Sequence, residues 1–234
     1  GTITYGGSCS STTSATAGDN NIFFNALAEG TYDNCTISVD NNSNTSDNLS
    51  VSSFTIDTTP PTLLETTMVS TLTNDNTSLS YTFSSTEGGT FTIGGGCSSD
   101  SDNDTVVADN MTVSFAALAD GTYSGCYIDV TDSAGNTFRI EVNQFTIDTT
   151  APALAQVVAV TTPTNDNTTL SYTFSSTEDG NINYGGSCSS SGDNTSVGGP
   201  DNVPANNAIT FNALADGTYN NCKISVTDNA SNTS

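Results

Sequence analysis

Six cysteines, 25 acidic side chains and no histidine define the chemistry open to this chain of 234 residues. The cysteines fall in three pairs of similar spacing: Cys9 and Cys35, Cys97 and Cys126, Cys188 and Cys222. Recurring pairs of this kind point to one disulfide per pair, and hence to an oxidising, secreted or cell-surface compartment. Zinc needs four ligands, and without histidine each pair offers only two; reduced thiols are the other alternative. The carboxylates face two cations, Arg139 and Lys223, for a net charge of −23. Such a surface excludes nucleic acid, whose phosphates require Lys and Arg, and argues against an anionic membrane surface. Ca²⁺ prefers carboxylate and carbonyl oxygens and is the candidate cofactor; the alternative is a solvated acidic surface. General acid–base chemistry would rest on carboxylates alone, in principle as a glycosidase pair. Because the acids recur in register at turns, an enzyme is not expected.

The elements that position these residues repeat along the chain. Leu118-Ala119-Asp120-Gly121-Thr122-Tyr123 leads through Cys126, Ile128 and Val130 to Asp132-Ser133-Ala134-Gly135-Asn136. It reads as a turn, a strand of period two and a second turn. Copies begin at Leu27 and Leu214; Tyr32 and Tyr123 lie 91 positions apart, Tyr123 and Tyr219 lie 96 apart. A period near 90 fits one small all-β domain per repeat. The expected domains are a partial repeat over 1–57 (strands C to G), a complete one over 58–148, and a partial one over 149–234 (strands A to F). Gly1 aligns with Gly89, and Ser234 falls just beyond Asn232, the counterpart of Asn136. The chain therefore reads as a piece of a longer polypeptide, with each incomplete repeat filled by continuing chain or by a strand of a neighbouring subunit.

Within the complete repeat, strand A is expected over Leu63–Thr71 and B over Leu79, Tyr81 and Phe83. C follows with Phe91 and Ile93, running out through Gly94-Gly95-Gly96 to Cys97. After a polar loop over Ser98–Asn103, D is placed around Val106 and E over Met111, Val113 and Phe115. F is the recurring stretch, and G runs Phe138–Ile147. Seven short strands with turns between them indicate an all-β fold of tandem immunoglobulin-like seven-stranded β-sandwiches, one intradomain disulfide each. Strands C and F lie side by side in that topology, so Cys97 and Cys126 meet at one pole. Tyr123 sits where a tyrosine corner would bond back to nearby backbone; an ordinary half-buried aromatic is the alternative. Hydrophobic residues are only 34% of the chain, a thin core for repeats of this size that disulfides would staple.

Leu118-Ala119-Asp120-Gly121-Thr122-Tyr123, Thr131-Asp132-Ser133-Ala134-Gly135-Asn136 and Asp148-Thr149-Thr150-Ala151-Pro152 together resemble the bacterial immunoglobulin-like repeats of large surface adhesins. The resemblance covers the whole chain and implies extracellular stalk or spacer modules, with Ca²⁺ at domain junctions. The two cysteines per repeat depart from the common pattern, as does Asp40-Asn41-Asn42-Ser43-Asn44 at the first F–G turn. The candidate calcium ligands are Asp57, Asp75, Asp120, Asp132, Asp148, Glu178, Asp179 and Asp228. Two functions follow. One is a rigid stalk or filament whose partners are neighbouring repeats of the same chain, or further copies in a homo-polymer, with no membrane insertion in this segment. The other is a ligand-binding adhesin module that recognises glycan or another surface.

Overall fold

The computed structural model describes residues 1–100, 105–190, 196–197 and 206–234. Among them there is no helix and there are 21 strands. The first repeat carries β1 Thr2–Gly6, β2 Gly30–Tyr32, β3 Thr36–Asp40, β4 Leu49–Ser50 and β5 Phe54–Ile56. The second carries β6 Leu63–Thr67, β7 Leu72–Thr73, β8 Ser80–Ser85, β9 Gly89–Gly94, β10 Thr105–Val106, β11 Asp109–Ser114, β12 Gly121–Tyr123, β13 Tyr127–Asp132, β14 Thr137–Glu141 and β15 Phe145–Ile147. The third carries β16 Leu154–Val158, β17 Ser171–Ser176, β18 Gly180–Gly185, β19 Ser196–Val197, β20 Asn206–Thr210 and β21 Lys223–Asp228.

Alternation decides how the second repeat packs. Tyr81, Phe83 and Ser85 of β8 are buried, while Ser80, Thr82 and Ser84 face outward. Phe91, Ile128 and Val130 do the same from β9 and β13, with relative exposures of 2%, 0% and 0%. One sheet runs β11-β8-β6, another β10-β9-β13-β14, and their inward side chains join one core with Phe115, Val142, Phe145 and Ile147. Each such side chain contributes about 1.5–3 kcal/mol by leaving water. A third, short sheet runs β12-β15-β7, with β15 parallel to β7.

Three expected strands are divided. Strand A splits into β6 and β7, which belong to different sheets. G divides likewise between β14 and β15. At both breaks an amide side chain replaces strand pairing: Asn143 Oδ1 accepts from Val69 N at 3.0 Å and its Nδ2 donates to Val69 O at 2.9 Å. F divides into β12 and β13 around Ser124-Gly125-Cys126. The strand expected as D pairs instead with β9. Val106 is buried in the core at 2% exposure, and the chain crosses to the other sheet only at 107–108, before Asp109 with its φ of 147°. Part of the polar loop expected over Ser98–Asn103 lies outside the described residues.

The third repeat reproduces two of these sheets, as β16-β17-β20 and β19-β18-β21. Even the irregularity of strand A recurs, between Glu65 and Thr67 and between Gln156 and Val158. The first repeat forms β1-β3-β4 and β2-β5.

Three disulfides join Cys9–Cys35, Cys97–Cys126 and Cys188–Cys222, with Cα–Cα distances of 5.4, 5.5 and 5.1 Å. They are the pairs expected from the repeat, and they favour an oxidising compartment. A glycine with positive φ stands two residues before the first cysteine of each pair: Gly7, Gly95 and Gly186, at 72°, 77° and 75°. A Cβ on any of them would collide with the carbonyl of Asn34, Gly125 or Asn221 on the facing segment. Glycine is thus what lets the end of one strand approach the start of its neighbour closely enough for the sulfurs to bond.

Candidate cation sites at the repeat junctions

Each junction begins with an aspartate just after a strand. Asp57 follows β5 and Asp148 follows β15. From the next repeat come a glutamate in the turn after its central strand and an aspartate closing the strand that follows the second cysteine. These are Glu87 with Asp132, and Glu178 with Asp228. The carboxylate oxygens of Asp57, Glu87 and Asp132 lie within 4.8 Å of one another, and so do those of Asp148, Glu178 and Asp228.

Local structure explains the aim of each group. Ser85 Oγ donates to Glu87 O at 2.6 Å, and Ser176 Oγ to Glu178 O at 2.7 Å, fixing the turns that present the glutamates. Asp132 Oδ1 accepts from the backbone N–H groups of Ala134, Gly135 and Asn136 at 2.8, 2.7 and 2.9 Å. Asn136 Nδ2 then bridges Asp132 Oδ2 and the carbonyl of Asp57, at 2.9 and 3.1 Å. Asn232 bridges Asp228 Oδ2 and the carbonyl of Asp148 in the same way, at 2.9 and 2.7 Å.

The electrostatics are those of crowded anions. Burial raises Glu87 above the ordinary carboxylate range, and the charges of Asp57, Asp132 and Glu29 push it further. Burial also raises Glu178, helped by Asp148 and Asp228. Glu178 Oε2 is closed off from solvent with no hydrogen-bond partner among the described residues. Burial works against the charge on Asp132 too, but the donors from Asn136, Ala134 and Gly135 outweigh it and hold this carboxyl below its usual range. A divalent ion with oxygen ligands at about 2.3–2.6 Å could touch one oxygen from each member of a triad, because oxygens sharing such an ion stand no more than about 5 Å apart.

Of the expected calcium ligands, the fold brings Asp57 and Asp132 into one triad and Asp148, Glu178 and Asp228 into the other. Asp120 is not a member of the second triad, although its charge acts on Glu178. It accepts hydrogen bonds from Thr149 and Thr150, which lower its own pKa. Asp75 and Asp179 lie outside both triads. Asp75 caps its own turn, accepting from the Ser78 hydroxyl and from the N–H groups of Thr77 and Ser78, and is held down to about 2. Asp166 does the same with Thr169 and Thr168, also at about 2. Asp179 is exposed.

Of the six triad members, Glu87 alone is absent from the expected ligands. The signal was present: Glu87 and Glu178 are 91 positions apart, as are Asp57 and Asp148. Asn136 and Asn232 lie in turns that the sequence marks, and their bonds to the linker emerge only in the fold. The tyrosine corner is formed in all three repeats, with Tyr32, Tyr123 and Tyr219 donating to the carbonyls of Ala28, Ala119 and Ala215 at 2.8, 2.9 and 2.8 Å. No helix among the described residues is long and apolar enough to cross a membrane. The chain matches no protein-family model, and a search of curated proteins finds no match to it.

Proposed function

We propose that this chain is a tandem array of immunoglobulin-like β-sandwich repeats, each with its own disulfide, that serves as a structural stalk or filament segment of a bacterial surface protein. On this reading the partners are neighbouring repeats of the same chain and further copies in a filament, and the chain is not an enzyme. Ca²⁺ is the proposed ligand of the two triads.

The observation that carries this reading is the duplication of the junction itself. Both triads combine the last aspartate of one repeat with a glutamate and an aspartate from two turns of the next. Both are completed by the same asparagine-to-linker hydrogen bond. Equivalent junctions give equivalent interdomain steps, the requirement for a regular rod, whereas a dedicated ligand site would occupy one specialised repeat. A hard cation at each step neutralises carboxylates that otherwise repel across the linker.

Calcium titration by calorimetry, with melting in calcium and in EGTA, tests this. Binding of about two ions per chain with a higher melting temperature in calcium is expected, and Asp132→Asn with Asp228→Asn should abolish both effects. Identical melts and no heat of binding would refute the calcium assignment. Scattering from a compact particle in place of an extended one would refute the stalk.

A further inference from the structure

At both junctions the linker Asp-Thr-Thr is held unequally by the two repeats it joins. The preceding repeat grips it with an acid from the turn before its tyrosine corner. Glu29 Oε1 accepts from Thr58 N, Thr58 Oγ1 and Thr59 Oγ1 at 2.7, 2.6 and 2.7 Å. Asp120 Oδ1 accepts from Thr149 N and Thr149 Oγ1 at 3.1 and 2.8 Å, and its Oδ2 from Thr150 Oγ1 at 3.0 Å. The linker aspartates add a local turn, with Thr59 N donating to Asp57 Oδ1 and Thr150 N to Asp148 Oδ1 at 3.2 and 3.1 Å. The following repeat holds the same segment through the triad and one amide bond, from Asn136 or Asn232.

We infer that the Asp-Thr-Thr linker is a fixed extension of the repeat before it, clamped by Glu29 or Asp120 without any metal. The hinge of each junction then lies after the second threonine, at Pro60-Pro61 and Ala151-Pro152. Three charge-assisted hydrogen bonds to one carboxylate form the stronger grip. They also explain the residue types: the linker needs hydroxyl donors at two successive positions, and the turn needs an acid. This inference rests on the stalk reading and adds a location for its flexibility. Removing the cation leaves the following repeat tied to the linker through the Asn136 or Asn232 amide bond, so that repeat is freer to swing about the prolines while the linker stays docked behind it.

Amide exchange of Thr58 and Thr149, followed by NMR on the whole chain, tests the clamp. Both amides are expected to stay protected in EGTA as in calcium. Asp120→Ala should speed exchange at Thr149 at least about tenfold in either condition, the scale of one charge-assisted hydrogen bond, and leave Thr58 unchanged. Asp120→Asn, which keeps an acceptor oxygen but no charge, should fall between. Thr149 exchanging at the free-peptide rate in the unmodified chain in EGTA, or no response to Asp120→Ala, would overturn the clamp. Neither result depends on calcium binding, so failure of the clamp and failure of the calcium assignment are separable.

Discussion

The second and third repeats contain the same six-residue strand, Ser-Tyr-Thr-Phe-Ser-Ser, as β8 and β17, yet they bury it differently. Tyr81 is fully buried, whereas Tyr172 is only half-buried. Tyr123 stacks on Phe145 with ring centroids 5.2 Å apart, and Tyr32 stacks on Phe54 at 5.3 Å in the first repeat. Their counterpart Tyr219 keeps its corner hydrogen bond but is 38% exposed. In the second repeat, β15 lays Phe145 and Ile147 between β12 and β7. Residues 149–234 contain no Phe-Thr-Ile segment, and in this chain the corresponding space is an open cavity of about 660 Å³ lined by Thr161, Leu170, Tyr172, Phe211, Leu214 and Tyr219. Local pattern makes the strand and its inward face. How deep that face lies depends on a segment far away in sequence.

The comparison can be broken by removing the wedge. Phe145→Ala should cost the second repeat about 3–5 kcal/mol, the usual penalty for emptying a buried phenylalanine site. It should also make Tyr81 and Tyr123 as solvent-accessible as Tyr172 and Tyr219. Urea unfolding with tyrosine fluorescence checks both, and unchanged tyrosine exposure would mean that Phe145 does not separate the two repeats.

Disulfide loss should have the next largest effect. Cys97→Ser with Cys126→Ser reopens a loop with a sequence separation of 29 and should lower stability by about 3–4 kcal/mol on the chain-entropy account. Within these 234 residues no Phe-Thr-Ile segment follows β21, so in this chain Cys188→Ser with Cys222→Ser should bring the melting of the third repeat below that of the altered second repeat. Differential scanning calorimetry of the two variants sharpens the comparison; equal melting would show that the wedge adds nothing where the staple is gone.

The smallest effect should be one that the two repeats share. Asp75 and Asp166 are held at about 2 against an ordinary value of 3.8. A depressed carboxyl stabilises the fold above its unfolded pKa, and that contribution is lost as pH falls from 3.8 through about 2. Glu87 and Glu178 have the opposite sign. Their raised pKa means that protonation favours the folded state, so in EGTA acidification toward 4.5 relieves strain at the triads. Melting temperature in EGTA should therefore rise slightly from neutral pH toward mildly acidic pH and fall below pH 4. Glu87→Gln with Glu178→Gln should remove the rise and leave the fall. A monotonic fall from neutral pH in the unmodified chain would contradict this assignment.

Much of the architecture was legible because it depends on periodicity and on chemistry close in sequence. Alternation at Tyr81-Phe83, Phe91-Ile93 and Ile128-Val130 marks strands by itself, since successive side chains in an extended backbone point to opposite faces. The register of the cysteines with the repeat pointed to three disulfides, because a bond that staples one unit must recur with it. Which sheet a short strand joins was not legible. Thr105–Val106 carries too few residues to show a preference, and its place beside β9 follows from the room Val106 finds in the core. Spacing pairs Glu87 with Glu178 but gives neither the distance at which Glu87 meets Asp57 and Asp132 nor the fact that Asp75 stays in its own turn. Carboxylates separated by dozens of residues converge only when two repeats are set end to end, and that distance is a property of the folded chain.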